Sequence, residues 1–276
     1  MSDQSIITRF ENGALWITLN RPQAMNAITP AMVREIDNAL DAAARRPGVR
    51  AIVLAATGAA FCAGADLKFA QAGFHDDITV DNAGAGTPPG ADSAASDFLE
   101  SLLRVMKRLE QAPQPVIAAV NGLALAGGLE LVLCCDLVIA ARSARLGDAH
   151  ANYGLLPGGG ASARLPRKIG PTRAKYLLFT GDFLPAEYFL QAGLVNAVVD
   201  DDELEQAVLS LVEKIAAKSP LGLRRMKSLV DDGLEQPLET ALRLELLASE
   251  VHRHSFDQEE GLAAFNEKRK PQFLGR

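Results

Sequence analysis

Two glycine-bearing segments hold the residues best suited to chemistry: Phe61-Cys62-Ala63-Gly64-Ala65-Asp66 and Asn121-Gly122-Leu123-Ala124-Leu125-Ala126-Gly127-Gly128-Leu129-Glu130. Each follows a short apolar run, Ala51–Ala55 or Val116–Val120, that reads as a buried strand. Each then breaks on small residues and leads into a pattern able to open a helix. A strand, a tight turn and a helix N-terminus leave backbone N–H groups without intrahelical acceptors. Two such units side by side can aim two N–H groups at one developing oxyanion. The second unit adds a carboxylate, Glu130, one helical turn beyond Gly127 and therefore on the same face. Its neighbours Leu129, Leu131, Val132 and Leu133 are apolar, so Glu130 is expected to be buried and to have a task. Burial raises its pKa, while a helix N-terminus and hydrogen bonds lower it.

The elements that must position these groups follow from periodicity. Ile6 to Leu19 alternates around Asn12-Gly13, the signature of a β-hairpin. Thr29 can cap a helix begun by Pro30, with Met32, Val33, Ile36 and Leu40 on one face. The likeness between residues 51–66 and 116–130 suggests a structural repeat. Val116 to Ala141 is apolar enough to tempt a transmembrane reading. Its interruption by Asn121, Gly122, Gly127, Gly128, Glu130 and Asp136 favours a buried strand, turn and helix. Residues 71–97 contain a small, polar, breaker-rich stretch and are expected to form a surface loop or a mobile wall of the site. Past Asp200 the chain turns helical and charged. Leu204, Val208, Leu211, Val212 and Ile215 make one apolar stripe, and Leu238, Leu242, Leu246 and Leu247 another.

Composition narrows the function. The 276 residues are 48% hydrophobic and suffice for a core without disulfides or metals. The formal charge of −6 argues against nucleic acid or anionic membrane as the main partner. The three cysteines, Cys62, Cys134 and Cys135, are odd in number and lie in apolar runs, which fits a reducing compartment and buried packing roles. No signal-peptide pattern opens the sequence, so the cytoplasm is expected. No metal site is expected, since no second His or Cys stands at ligand spacing from His150. Gly158-Gly159-Gly160 lacks the spacing of a dinucleotide-binding loop, so no nicotinamide or flavin is implied. His252 and His254 read as solvated members of a charged helix.

Taken with Asn20-Arg21-Pro22, Asn26-Ala27, Leu155-Leu156-Pro157-Gly158-Gly159-Gly160, Leu178-Phe179-Thr180-Gly181, Ala192-Gly193-Leu194-Val195 and Phe265–Pro271, the two segments resemble the crotonase (enoyl-CoA hydratase/isomerase) superfamily nearly end to end. The resemblance implies an α/β fold: a spiral of β-β-α repeats with roughly perpendicular sheets over residues 1–200, and a C-terminal helical trimerisation region over 201–276 within the same functional domain. It implies an acyl-CoA thioester substrate, no cofactor beyond the coenzyme A of that substrate, and a trimer or dimer of trimers. The oxyanion donors become the backbone N–H groups of Ala65 and Gly127. Coenzyme A contacts become Ala63, Ala65, Asp66, Leu67 and Lys68, with Lys268, from a neighbouring subunit, at the nucleotide phosphates.

The resemblance also marks a departure. Typical hydratases of the family pair the glutamate at Glu130 with a second one twenty residues later, where this chain has His150. The in-register Leu155-Leu156-Pro157-Gly158 leaves no room for a compensating insertion. A neutral imidazole at His150 could serve as general base in place of a carboxylate, with activity falling as pH drops. Alternatively it could hydrogen-bond Asp148 or the acyl group and only shape the pocket. Three functional readings stand: hydration of a 2-enoyl-CoA or its reverse; another enolate reaction, isomerisation or C–C cleavage, using His150; and a non-catalytic acyl-CoA-binding paralogue. A serine peptidase on the related spiral is disfavoured, because no Ser–His–Asp pattern is present.

Overall fold

The structure, a computed structural model, describes residues 4–66 and 94–276. It opens with the expected hairpin, β1 (Ile6–Glu11) against β2 (Ala14–Leu19). Asn12 and Gly13 both take positive φ, 49° and 83°, as a twist-matched two-residue turn requires. Helix α1 (Pro30–Arg45) starts where Thr29 accepts from the Met32 N–H at 3.2 Å, and it buries Met32, Val33, Ile36 and Leu40.

Three consecutive strand pairs then build two sheets. They are β3 (Ala51–Ala56) with β4 (Ala60–Cys62), β5 (Val116–Val120) with β6 (Leu123–Leu125), and β7 (Leu137–Ala141) with β8 (Arg145–Gly147). The first strand of each pair joins a six-stranded sheet in the order β1-β2-β3-β5-β7-β10, where β10 is Ala197–Val199. The second joins a four-stranded sheet in the order β4-β6-β8-β9, where β9 is Leu184–Pro185. Pairing is parallel from β2 to β10 and from β4 to β8. The repeat read from the sequence is therefore real: Val53 faces Ile117 in one sheet and Cys62 faces Ala124 in the other. It has a third copy, β7–β8, that the sequence reading did not identify. The three-residue strands β4 and β6 are too short to show a period in the sequence.

Helix α2 (Ala94–Glu110) lies against α1; it begins inside the stretch expected to run as loop to residue 97, which otherwise lies outside the described residues. Helix α3 (Gly127–Leu133) is buried along its whole length. It approaches β4 so closely that a Cβ at Gly128 would run into the Cys62 carbonyl, a position only glycine can hold. Helices α4 (Ala161–Ile169), α5 (Pro171–Thr180) and α6 (Ala186–Ala192) follow. Helix α7 (Leu204–Ala216) buries Leu204, Val208, Val212 and Ile215 and packs on β3, β5 and β7. Helices α8 (Pro220–Gly233), α9 (Leu238–Arg253) and α10 (Phe256–Asn266) close the chain. Unlike α7, α8 and α9 bury no residue fully. Among the described residues no helix is long and apolar enough to cross a membrane.

Candidate active site

The site forms where β4, β6 and β8, adjacent and parallel in the small sheet, reach their C-terminal ends. Open α/β sheets commonly bind ligands at that end. Each repeat delivers one component: Gly64-Ala65 after β4, Gly127 and Glu130 after β6, and His150 after β8.

The first turn is pinned from outside. The chain segment 20–28 lies across it, with the Ile28 N–H donating to the Gly64 carbonyl at 2.8 Å and the Asp66 N–H to the Ile28 carbonyl at 2.9 Å. Asn26, fully buried, holds this segment: its amide donates to the Thr57 and Ala60 carbonyls, both at 2.8 Å, and accepts from the Arg21 N–H at 2.7 Å. Arg21 donates to the Ala27 carbonyl at 2.6 Å and pairs with Asp66 at 3.2 Å. The Asn20-Arg21-Pro22…Asn26-Ala27 motif thus braces the Gly64-Ala65 turn.

The second turn meets the first directly. A Cβ on Gly127 would stand 3.1 Å from Ile28 Cδ1 and 3.4 Å from the Ala65 nitrogen, and one on Gly64 would be 3.3 Å from the Gly127 nitrogen. Ala126 adopts φ 48°, ψ −118° at the helix N-cap, a conformation rare for a residue with a Cβ and characteristic of functional sites. Among the described residues, neither the Ala65 nor the Gly127 N–H has a hydrogen-bond acceptor. Two adjacent backbone donors free for one oxygen are what an oxyanion hole requires.

Glu130 is 2% exposed. Its Oε1 accepts from the Ala161 N–H at 2.9 Å, at the start of α4. The glycine triplet has a clear task here: a Cβ on Gly159 would sit 2.5 Å from Glu130 Oε2 and 2.7 Å from Met106 Sδ. The triplet is a cradle for a carboxylate. Arg164 fixes it by donating to the Gly159 carbonyl at 2.6 Å while paired with Glu110 at 2.5 and 2.6 Å. Burial raises the Glu130 pKa above the usual carboxylate value, outweighing the Ala161 and Gly159 N–H groups and the His150 charge, which lower it. The contest left open by the sequence is won by burial.

His150 opens a one-turn 3-10 helix, residues 150–153, and its side chain is 12% exposed. Its Nδ1 lies 3.0 Å from Asp148 Oδ1. Burial alone would favour the neutral ring, but the hydrogen bond and charge of Asp148, with the charge of Glu130, raise its pKa above the usual histidine value. The surroundings thus shift the ring toward its protonated form, and the Asp148 contact is one of the two roles the sequence left open.

Of the other expected site residues, Ala63 and Asp66 flank the first turn, with the Ala63 N–H donating to the Met25 carbonyl at 3.0 Å. Leu67 and Lys68 lie outside the described residues. Lys268 is exposed beyond α10, an element packed chiefly on α9 rather than on either turn. His252 is a correction: it is half-buried, and Arg225 donates to its Nδ1 at 2.7 Å. All three cysteines are buried thiols, and burial pushes Cys62 up to about 12, so it is no nucleophile.

A spiral of strand pairs with two unpaired backbone donors beside a buried glutamate defines the class of protein. The sequence model of the enoyl-CoA hydratase/isomerase family matches residues 9–276, and the chain belongs to that family. It is similar to a crotonyl-CoA hydratase of Syntrophomonas wolfei, 36% identical with both chains fully covered. It is also similar to a 1,2-epoxyphenylacetyl-CoA isomerase of Escherichia coli, 35% identical over 98% of each chain. The crystal structure of an enoyl-CoA hydratase from Bacillus anthracis superposes with a TM-score of 0.88, at 37% identity, covering 99% of this chain and 100% of that one.

Proposed function

We propose that the protein hydrates a 2-enoyl-CoA thioester, or dehydrates the corresponding 3-hydroxyacyl-CoA, through an enolate held by the Ala65 and Gly127 N–H groups. Adding water at the β-carbon drives negative charge onto the thioester oxygen, where two preorganised donors are most effective; losing one such donor costs about 10²–10³ in rate. The observation that carries the reading is Glu130, buried in the helix that Gly127 opens, with the partly buried His150 near enough for each charge to shift the other's pKa. Such a couple titrates as a unit. With one proton between them, Glu130 takes a proton from water and the His150 imidazolium supplies one to the α-carbon; the reverse reaction returns both.

The same couple could serve isomerisation, which moves a proton between carbons and adds no water. Hydration is preferred because it calls for a base at water and an acid at the α-carbon together, the roles that Glu130 and His150 are proposed to fill. The coenzyme A moiety is proposed to run along Ala63, Asp66, Leu67 and Lys68, with Lys268 of a neighbouring copy at its phosphates. The reaction needs no cofactor beyond the coenzyme A of the substrate. The proposed assembly is a trimer or a dimer of trimers in the cytoplasm, built from a core over residues 1–200 and a helical region over 201–276. A panel of enoyl-CoA thioesters tests the activity. Loss of the enone absorbance with a product heavier by one water supports it; consumption with no change in mass, or no consumption of any thioester, contradicts it.

A further inference from the structure

We propose that Asp148 is the positioning residue for His150, holding the imidazole in one tautomer so that Nε2 is the nitrogen that exchanges a proton with substrate. The inference rests on the acid–base role proposed for His150 and adds a third member to the couple.

The arrangement is specific to this loop. Asp148 is 1% exposed, and among the described residues the one hydrogen-bond partner of its carboxylate is His150 Nδ1. Its second oxygen, Oδ2, is buried with no hydrogen-bond partner among the described residues. A carboxylate so poorly solvated is costly to bury unless a charge-assisted hydrogen bond compensates, and the imidazole is the group that can supply one. The backbone supports the pairing. The His150 N–H donates to the Asp148 carbonyl at 2.8 Å across Ala149, which sits at φ 61°, in the left-handed region that non-glycine residues seldom occupy. This tight turn brings side chains two residues apart face to face.

A carboxylate accepts, so Nδ1 bears the hydrogen and Nε2 has no partner among the described residues. The charges that shift the ring are those of Asp148, from its own loop, and Glu130, from α3. Helix α5, packed against the 150–153 turn, carries Arg173, Lys175 and Tyr176 but meets the turn through Asn152 and the Gly181 carbonyl, at 2.9 Å. An orienting carboxylate on a catalytic imidazole is a recurrent solution in acyl-transfer sites, where its amide replacement presents the wrong tautomer.

The test compares the full-length protein with its Asp148→Asn variant by nitrogen NMR of labelled histidine rings, assigned with His150→Gln, and by hydration kinetics across pH. In the wild type, His150 is expected as the Nδ1–H tautomer at alkaline pH, titrating above the unperturbed value of about 6.5. In Asp148→Asn the tautomer changes and the titration moves down toward that value. Hydration kcat then falls roughly 10²-fold or more with KM little changed, and its alkaline limb moves to lower pH. An unchanged ring titration in the variant, or a pH profile that superimposes on the wild type, overturns the proposal even if kcat falls. Should the variant not fold, the wild-type spectrum decides, since an Nε2–H tautomer overturns it. The ring measurement needs no turnover. A ring coupled to Asp148 in a protein that hydrates nothing would sink the hydration reading alone.

Discussion

At the residue scale, burial shifts the Glu130 carboxyl toward its protonated form, and the Asp148 and Glu130 carboxylates shift the His150 imidazole the same way. Each is shifted toward its protonated form, and each favours the other's charged form. Glu130→Gln removes the base while keeping shape and its contact with the Ala161 N–H. It is expected to lower kcat by about 10²–10⁴ with KM and folding preserved; near-wild-type turnover would remove Glu130 from the mechanism. The sign of the pH dependence follows from the same shifts. If His150 is the proposed acid, hydration needs the imidazolium, so its rate is expected to fall as pH rises through the raised His150 pKa, above about 6.5. Protonation of Glu130 makes the acidic limb. His150→Ala should lose most activity and, in what remains, the alkaline limb. If the lost limb were the acidic one, His150 would be the base that the sequence alone suggested.

At the scale of elements, one design is used three times. A strand in the large sheet crosses to a short strand in the small sheet, and the turn beyond it carries a site component. The first two copies were legible because their glycine turns resemble each other; the third was hidden because β8 leads into Asp148-Ala149-His150, with no glycine beyond Gly147 to announce a turn. Helix α1 was legible for the opposite reason: capping, proline and apolar spacing all agree locally. Tertiary roles left less trace. The glycine triplet was recognisable, but its packing against Glu130 depends on residues far apart in sequence. The same holds for Asn26, which accepts from Arg21 within the segment over the first turn and donates twice to the β3–β4 stretch, at Thr57 and Ala60. Asn26→Ala would leave those buried groups unpaired, at about 1–3 kcal/mol for each one left unsatisfied. Urea denaturation should show the loss with an unchanged slope; a stability within experimental error of the wild type would show that Asn26 does not brace the turn.

At the scale of the whole molecule, the two apolar stripes read from the sequence have different fates. The α7 stripe is buried on the large sheet, whereas Leu238, Leu246 and Leu247 of α9 are 73%, 71% and 64% exposed. Exposed apolar patches of this kind mark interaction surfaces, and a second and third copy of this chain are the proposed occupants. Sedimentation should give a trimer or its dimer, and Leu246→Glu should shift the distribution toward smaller species. A wild-type protein that remains monomeric at micromolar concentration would contradict the assembly and, with it, the role given to Lys268.

The central claim is that water, activated by Glu130, adds to an enoyl thioester whose enolate rests on Ala65 and Gly127. The most direct measurement is mass analysis of the product formed from crotonyl-CoA in water labelled with heavy oxygen. The expected product is a 3-hydroxyacyl-CoA carrying one labelled oxygen, formed by the wild type and lost in Glu130→Gln. A product of unchanged mass, or labelled product formed equally well without the carboxylate, would contradict it.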